Sequence, residues 1–204
     1  MVPAKTALLY CDLQNGFMHP QGAYGRNGVV PASFADIPAR VKAVANAMRA
    51  AGGWIISTHF VLIADKNGKP MIAPGLQRLR PFLGPGDFVP GSFDCALYGD
   101  LPASDLSVEK VAFSAFYMSR LDWLLNKAQI DTLFFAGVMT NGGVASTLRD
   151  AHVREFQCTL LADGCGAATP ALHEAAVKDM SSIAQVMSCE QAAEHLAKQG
   201  AQPR

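Results

Sequence analysis

The stretch Phe134-Phe135-Ala136-Gly137-Val138-Met139-Thr140-Asn141-Gly142-Gly143-Val144-Ala145-Ser146-Thr147-Leu148-Arg149-Asp150 decides the fold. An apolar run ends at Val138, a polar, glycine-rich turn follows, and a helical pattern opens at about Gly142. That pattern reads as a buried strand feeding directly into a helix. In parallel α/β sheets, turns at the carboxyl ends of strands are where ligands bind. The first amides of the new helix lack intrahelical partners and sit at the positive end of its dipole, so they suit an oxyanion or a nucleophile's anion. The best position for that nucleophile is Gly143, which has no side chain.

Working outward, the same alternation of apolar runs and helical spacing recurs along the chain. Strands are expected at 6–11, 54–59, 107–111, 130–138, 156–162 and 184–187. Helices are expected from about 33 to 51, closed by Gly52-Gly53, then at 118–128, 142–154, 170–182 with Pro170 in its first turn, and 189–198. Strands alternating with helices imply a three-layer α/β fold: a mostly parallel six-stranded sheet, Rossmann-like, joined by right-handed crossovers. Residues 18–32 read as a loop. The segment 61–105 has little periodicity, and so long a connection is usually functional or covers a pocket.

Length and composition limit the functional classes. The 204 residues read as one domain, 1–204, with a sizeable core. Half the residues are hydrophobic and the formal net charge is zero, so no basic stripe invites nucleic acid and a small-molecule substrate is expected. No apolar run has membrane-spanning length and no signal pattern opens the chain, which predicts a cytoplasmic protein without membrane contact. The five cysteines (Cys11, Cys95, Cys158, Cys165, Cys189) are odd in number and widely spaced, unlike a disulfide framework or zinc site.

Several polar residues fall at carboxyl ends of the expected strands. Asp12 leaves the first as a candidate acid or base, or as a turn residue satisfying local amides. His59 ends the second, where a hydrogen-bonded rim residue is the simpler reading. With no second His or Asp at ligand spacing, no metal is expected there. Lys110 lies near the carboxyl end of the third, either tuning a neighbouring carboxylate or snorkelling to water. Arg78 and Arg80 could meet an anionic substrate, although a solvated loop surface is the plainer expectation. Asp12, Lys110 and the turn at 139–143 can converge although distant in sequence.

On Asp12-Leu13-Gln14-Asn15-Gly16-Phe17, Pro90-Gly91-Ser92, Glu109-Lys110-Val111-Ala112-Phe113-Ser114-Ala115-Phe116, Gly137-Val138-Met139-Thr140-Asn141 and Thr147-Leu148-Arg149-Asp150-Ala151, the chain resembles the isochorismatase-like cysteine hydrolases. The resemblance covers nearly the whole chain and implies that family's fold. It also implies an Asp–Lys–Cys triad that cleaves C–N bonds of amides, ureides and related compounds. Asp12 and Lys110 match the first two members. A cis peptide is implied between Val138 and Met139, with the Met139 and Gly143 amides binding the oxyanion. Thr140, Asn141, Phe17, His59 and Phe116 are assigned by the same resemblance to substrate binding. No cofactor is implied, and a homodimer or homotetramer is.

The departure is at the cysteine, whose position falls on Gly143. Cys165 is the one rival thiol, because Cys11 should point away from Asp12 by strand alternation. Three readings follow. The chain is a natural thiol-less hydrolase, with Asp12 as the acid of a vinyl-ether cleavage like that of isochorismatases proper. Or Gly143 is an engineered loss in an amide or ureide hydrolase. Or the chain is a non-catalytic small-molecule binder. The flanking residues follow the cysteine-hydrolase pattern, and the metal-binding cluster of the nicotinamidase branch is missing around His59.

Overall fold

The computed structural model describes residues 2–200. Its strands are β1 (Thr6–Cys11), β2 (Trp54–Phe60), β3 (Leu106–Lys110), β4 (Thr132–Val138), β5 (Gln157–Gly166) and β6 (Gln185–Met187). They form one six-stranded sheet in the order β3-β2-β1-β4-β5-β6, with every pair parallel. The helices are α1 (Asn15–Met18), α2 (Ala23–Arg26), α3 (Ile37–Ala50), α4 (Pro74–Leu79), α5 (Leu121–Lys127), α6 (Ala145–Val153), α7 (Pro170–Met180) and α8 (Cys189–Gly200). Among the described residues no helix is long and apolar enough to cross a membrane.

Alternation along the central strands divides the interior into two cores, one on each face of the sheet. Leu8, Tyr10, Phe134, Ala136 and Val138 pack with Val41, Val44 and Met48 of α3 and Leu196 of α8. Ala7, Leu9, Cys11, Leu133 and Phe135 pack on the other side with Leu121 and Leu125 of α5, Leu148 of α6 and Met180 of α7. The result is the expected three-layer sandwich. The strand order reverses direction between β1 and β4, so a crevice opens at their carboxyl ends.

Some boundaries differ from the sequence reading for identifiable reasons. α3 starts at Ile37, with Pro38 in its first turn, because residues 32–34 form a separate 3-10 turn. β5 does not stop at Ala162. Its pairing with β4 jumps from Phe135↔Leu160 to Gly137↔Cys165, so Asp163-Gly164 is a bulge within the strand rather than its end. Asp163 Oδ1 accepts the Cys189 amide at 2.6 Å, tying that bulge to the start of α8. The helix expected at 142–154 begins as a wide π-turn, Thr140–Val144, before α6.

Gly137 occupies the tightest point of the sheet. Its φ is +144°, and a Cβ there would lie 1.9 Å from the Cys11 carbonyl oxygen. Gly137→Ala is therefore expected to destabilise the fold by about 3 kcal/mol or more, the upper end of overpacking costs. Gly75 of α4 faces open space, with no atom nearer than Arg78 Nη2 at 4.0 Å. Gly75→Ala should range from neutral to a gain of about 1 kcal/mol. Urea midpoints of the two variants measure the contrast.

Candidate active site

Asp12 immediately follows β1 and adopts φ 57°, a left-handed conformation that aspartate tolerates better than most side chains. Its amide donates to the Thr58 carbonyl at 3.2 Å, and its own carbonyl accepts Gln14 N–H at 2.7 Å. The rest of the Asp12–Phe17 motif secures this turn. Buried Gln14 accepts the Phe60 amide at 2.7 Å and donates to the Phe60 carbonyl at 3.0 Å. Asn15 Nδ2 donates to the Phe93 carbonyl at 3.1 Å. Gly16 leaves room for the Phe88 ring, which would lie 2.3 Å from a Cβ.

Lys110, the last residue of β3, meets Asp12 Oδ2 at 2.7 Å, and the two side chains are 2% and 4% exposed. The ammonium also donates to the Ala112 and Phe113 carbonyls, each at 3.0 Å. Its three N–H donors therefore have three acceptors, one for each hydrogen of an ammonium. Thr58 of β2 donates to Asp12 Oδ1 at 3.0 Å. Burial pushes the Asp12 carboxyl above the ordinary aspartate range, while Lys110 and the Thr58 hydroxyl pull against that rise.

The turn after β4 comes up against this pair. The Val138–Met139 peptide is cis, as the resemblance implies. The Met139 carbonyl accepts N–H groups from Gly142 at 2.9 Å and Val144 at 3.2 Å. Thr147 Oγ1 donates to the Gly143 carbonyl at 2.7 Å and accepts the Ala115 amide at 3.0 Å, so α6 and the loop after β3 both position Gly143. A Cβ on Gly143 would lie 3.0 Å from Asp12 Oδ2 and 3.3 Å from Lys110 Nζ. That is close contact with the flexible ends of both side chains.

A cavity of about 330 Å³ is bordered by Asp12, Lys110, Met139, Asn141 and Gly143, with Phe17 in its wall. This is the small end of ligand-site volumes. Three residues assigned to substrate binding stand elsewhere. His59 shares with Ser57 the face of β2 opposite Thr58, so its Nδ1 donates to the Cys95 carbonyl at 2.7 Å while Nε2 pairs with the Ser57 hydroxyl at 2.7 Å. Phe116 packs in the second core, 6.1 Å from the Phe156 ring, and Phe113 lines the cavity instead. Thr140 is buried and its hydroxyl pairs with His173 Nδ1 at 2.9 Å, fastening the turn to α7.

The cavity also has walls that periodicity could not assign. Tyr24, Phe60, Leu76, Leu79, Arg80, Leu83 and Leu172 all border it. Arg80 thus belongs to the cavity rather than to a solvated loop surface, whereas Arg78 is exposed. No cysteine borders the cavity, and all five are buried. Cys165 donates from the second core to the Phe135 carbonyl at 3.6 Å, and burial pushes its thiol up to about 12. Cys11 lies in that core too, turned away from Asp12 as strand alternation requires. Among the described residues, no three His, Cys, Asp or Glu side chains gather where a metal ion could sit.

Comparison with known proteins agrees with this architecture. Residues 6–191 match the Isochorismatase domain, and the chain belongs to that family. It is 32% identical over 196 residues to ureidoacrylate amidohydrolase RutB of Methylobacterium radiotolerans, spanning 89% of this chain and 75% of the relative. RutB of Caulobacter vibrioides is 30% identical over 181 residues, spanning 82% and 80% of the two chains. The fold superposes on a cysteine hydrolase from Pseudomonas syringae with a TM-score of 0.83 at 21% identity, covering 98% of this chain and 95% of the other.

The buried pair makes a stability prediction. Lys110→Met leaves Asp12 without a counter-charge and should cost about 3–5 kcal/mol at pH 7, whereas the double variant Asp12→Leu/Lys110→Met should recover most of that loss. Urea unfolding of the single and double variants tests both expectations.

Proposed function

We propose that this protein is a hydrolase built for C–N bonds of small amide, carbamoyl or ureido compounds, with Gly143 standing where the family's thiol nucleophile would be. The observation that carries the reading is the placement of Gly143. A side chain there would begin within 3.0 Å of Asp12 and 3.3 Å of Lys110, inside the same cavity. A thiol at that position would hand its proton to Asp12 while Lys110 steadied the anion. The S–C bond would form at the carbonyl carbon, and the C–N bond would break with that proton passing to the leaving nitrogen. Water would then cleave the acyl-enzyme, while the Met139 and Gly143 amides held the oxyanion. The amidohydrolase names of the RutB relatives support the C–N bond as the target.

Without that thiol, covalent acyl transfer has no nucleophilic atom, and amide turnover by the chain as it stands is strongly reduced. Gly143→Cys is expected to release ammonia from a panel of amides and ureides at least about a thousandfold faster than the unaltered chain. No gain on any substrate would remove the lost-nucleophile reading. In that variant the acidic limb of kcat/KM should lie above the ordinary aspartate value of 3.8, since the base must be ionised and burial raises Asp12. The rate falls as pH drops through that limb.

The raised Asp12 also favours a second reading, thiol-independent hydrolysis in which protonated Asp12 is the general acid toward a vinyl ether. Pyruvate release from isochorismate by the unaltered chain, lost in Asp12→Asn, would select it. Tight ligand binding with no turnover, unchanged in Asp12→Asn, would indicate a binding protein instead.

A further inference from the structure

The space over Gly143 is walled by polar atoms on three sides. A Cβ there would lie 3.0 Å from Asp12 Oδ2, 3.3 Å from Lys110 Nζ and 3.5 Å from the Phe113 carbonyl oxygen. Two of these atoms can accept further hydrogen bonds. The Asp12 carboxylate offers about four lone-pair directions. Among the described residues it receives one donor on each oxygen, Lys110 on Oδ2 and Thr58 on Oδ1. The Phe113 carbonyl accepts from Lys110 alone among the described residues, so its second lone pair is open. Lys110, in contrast, has all its hydrogens engaged. The space opens into the cavity of about 330 Å³, which Asp12, Lys110, Phe113 and Gly143 all border. A group lodged over Gly143 must therefore be small and must donate twice. Water meets both conditions, in a setting polar enough to hold it.

We infer that a water bound over Gly143, donating to Asp12 Oδ2 and the Phe113 carbonyl, makes the unaltered chain a hydrolase of small acyl esters and thioesters. With both hydrogens held by the walls, the water's lone pairs face the cavity and an acyl carbon seated there. Asp12 takes one proton as the water oxygen bonds to that carbon, and the carbonyl π electrons move onto the oxyanion. The Lys110 ammonium at 2.7 Å favours the anionic form that this base must have. On collapse the C–O or C–S bond breaks, its electron pair goes to the leaving group, and Asp12 returns the proton to it. A carboxylic acid and an alcohol or thiol are released. The leaving group decides the substrate class, because an aryloxide or thiolate departs before it is protonated, whereas an amide nitrogen must be protonated first. Phe17, Phe60 and Leu83 line the cavity and suit a short acyl chain. The inference rests on the proposed C–N hydrolase reading for the acyl seat and for the Met139 and Gly143 oxyanion amides, but it needs no thiol.

The test uses phenyl acetate, S-phenyl thioacetate and acetanilide, the ester, thioester and amide of one acyl group. The unaltered chain should hydrolyse the first two faster than buffer does, with acetate and the leaving group appearing together from the first turnover. Intact-mass spectra should show no acetylated chain. Gly143→Ala puts a methyl group where the water docks and should slow ester hydrolysis about tenfold or more. Asp12→Asn should slow it about a hundredfold or more. Urea midpoints show whether each variant folds, and if Asp12→Asn does not, Gly143→Ala and the mass spectra still decide. An acetylated chain, or a burst of phenol ahead of acetate, would identify a side-chain nucleophile and overturn the inference. So would ester hydrolysis no faster than buffer, a rate kept in Gly143→Ala, or anilide turnover as fast as that of the ester. Gly143→Cys separates this inference from the reading it rests on. Amide hydrolysis by that variant, beside an unaltered chain inert on esters, keeps the thiol reading and removes the water-based activity. Ester hydrolysis by the unaltered chain, beside a Gly143→Cys that gains nothing on amides, does the reverse.

Discussion

Asp12 and Lys110 face one another at 2.7 Å with almost no exposure to water, and much of the molecule near the crevice is arranged around that contact. Burying either ion alone would cost several kcal/mol, and mutual attraction compensates only when the remaining donors and acceptors are also satisfied. Here Thr58 takes the second carboxylate oxygen, and the Ala112 and Phe113 carbonyls take the other ammonium hydrogens. The pair therefore requires β1, β2 and β3 to be adjacent and in register, which the parallel order supplies. Because the two charges cancel, the net charge of the cavity is left to Arg80.

β4 supplies the other half of the site from across the crevice. Gly137 permits the close approach to Cys11 that brings the turn after β4 beside Asp12. The turn then places Gly143, rather than a side chain, against the ion pair. Asp12, Lys110 and the turn residues Met139 and Gly143 thus border one space, and under the proposed chemistry the atom it lacks is the nucleophile's.

Much of this was readable from residues in order. The run ending at Val138 is apolar because β4 is buried on both faces, so both the strand and its exit into a helix were visible. Asp12 and Lys110 were placed because the carboxyl ends of parallel strands share one edge. The long segment 61–105 hid the rest, since its course depends on tertiary contacts such as Phe88 filling the space at Gly16 and Arg26 paired with Asp87. Arg80 and Tyr24 meet only because of that packing. His59 was assigned to the right end of its strand, but parity turns its ring to the other face. Beyond Lys110 no alternation remains to distinguish Phe113 from Phe116.

Phe113 has two jobs in two different layers of the site. Its carbonyl holds the Lys110 ammonium at 3.0 Å, while the residue itself borders the cavity and is half exposed. The same residue therefore shapes the space open to a guest and supplies one of the three acceptors of the Lys110 ammonium. The wall of the cavity and the shell of the buried ion pair are thus one piece of chain, side chain on one side and carbonyl on the other.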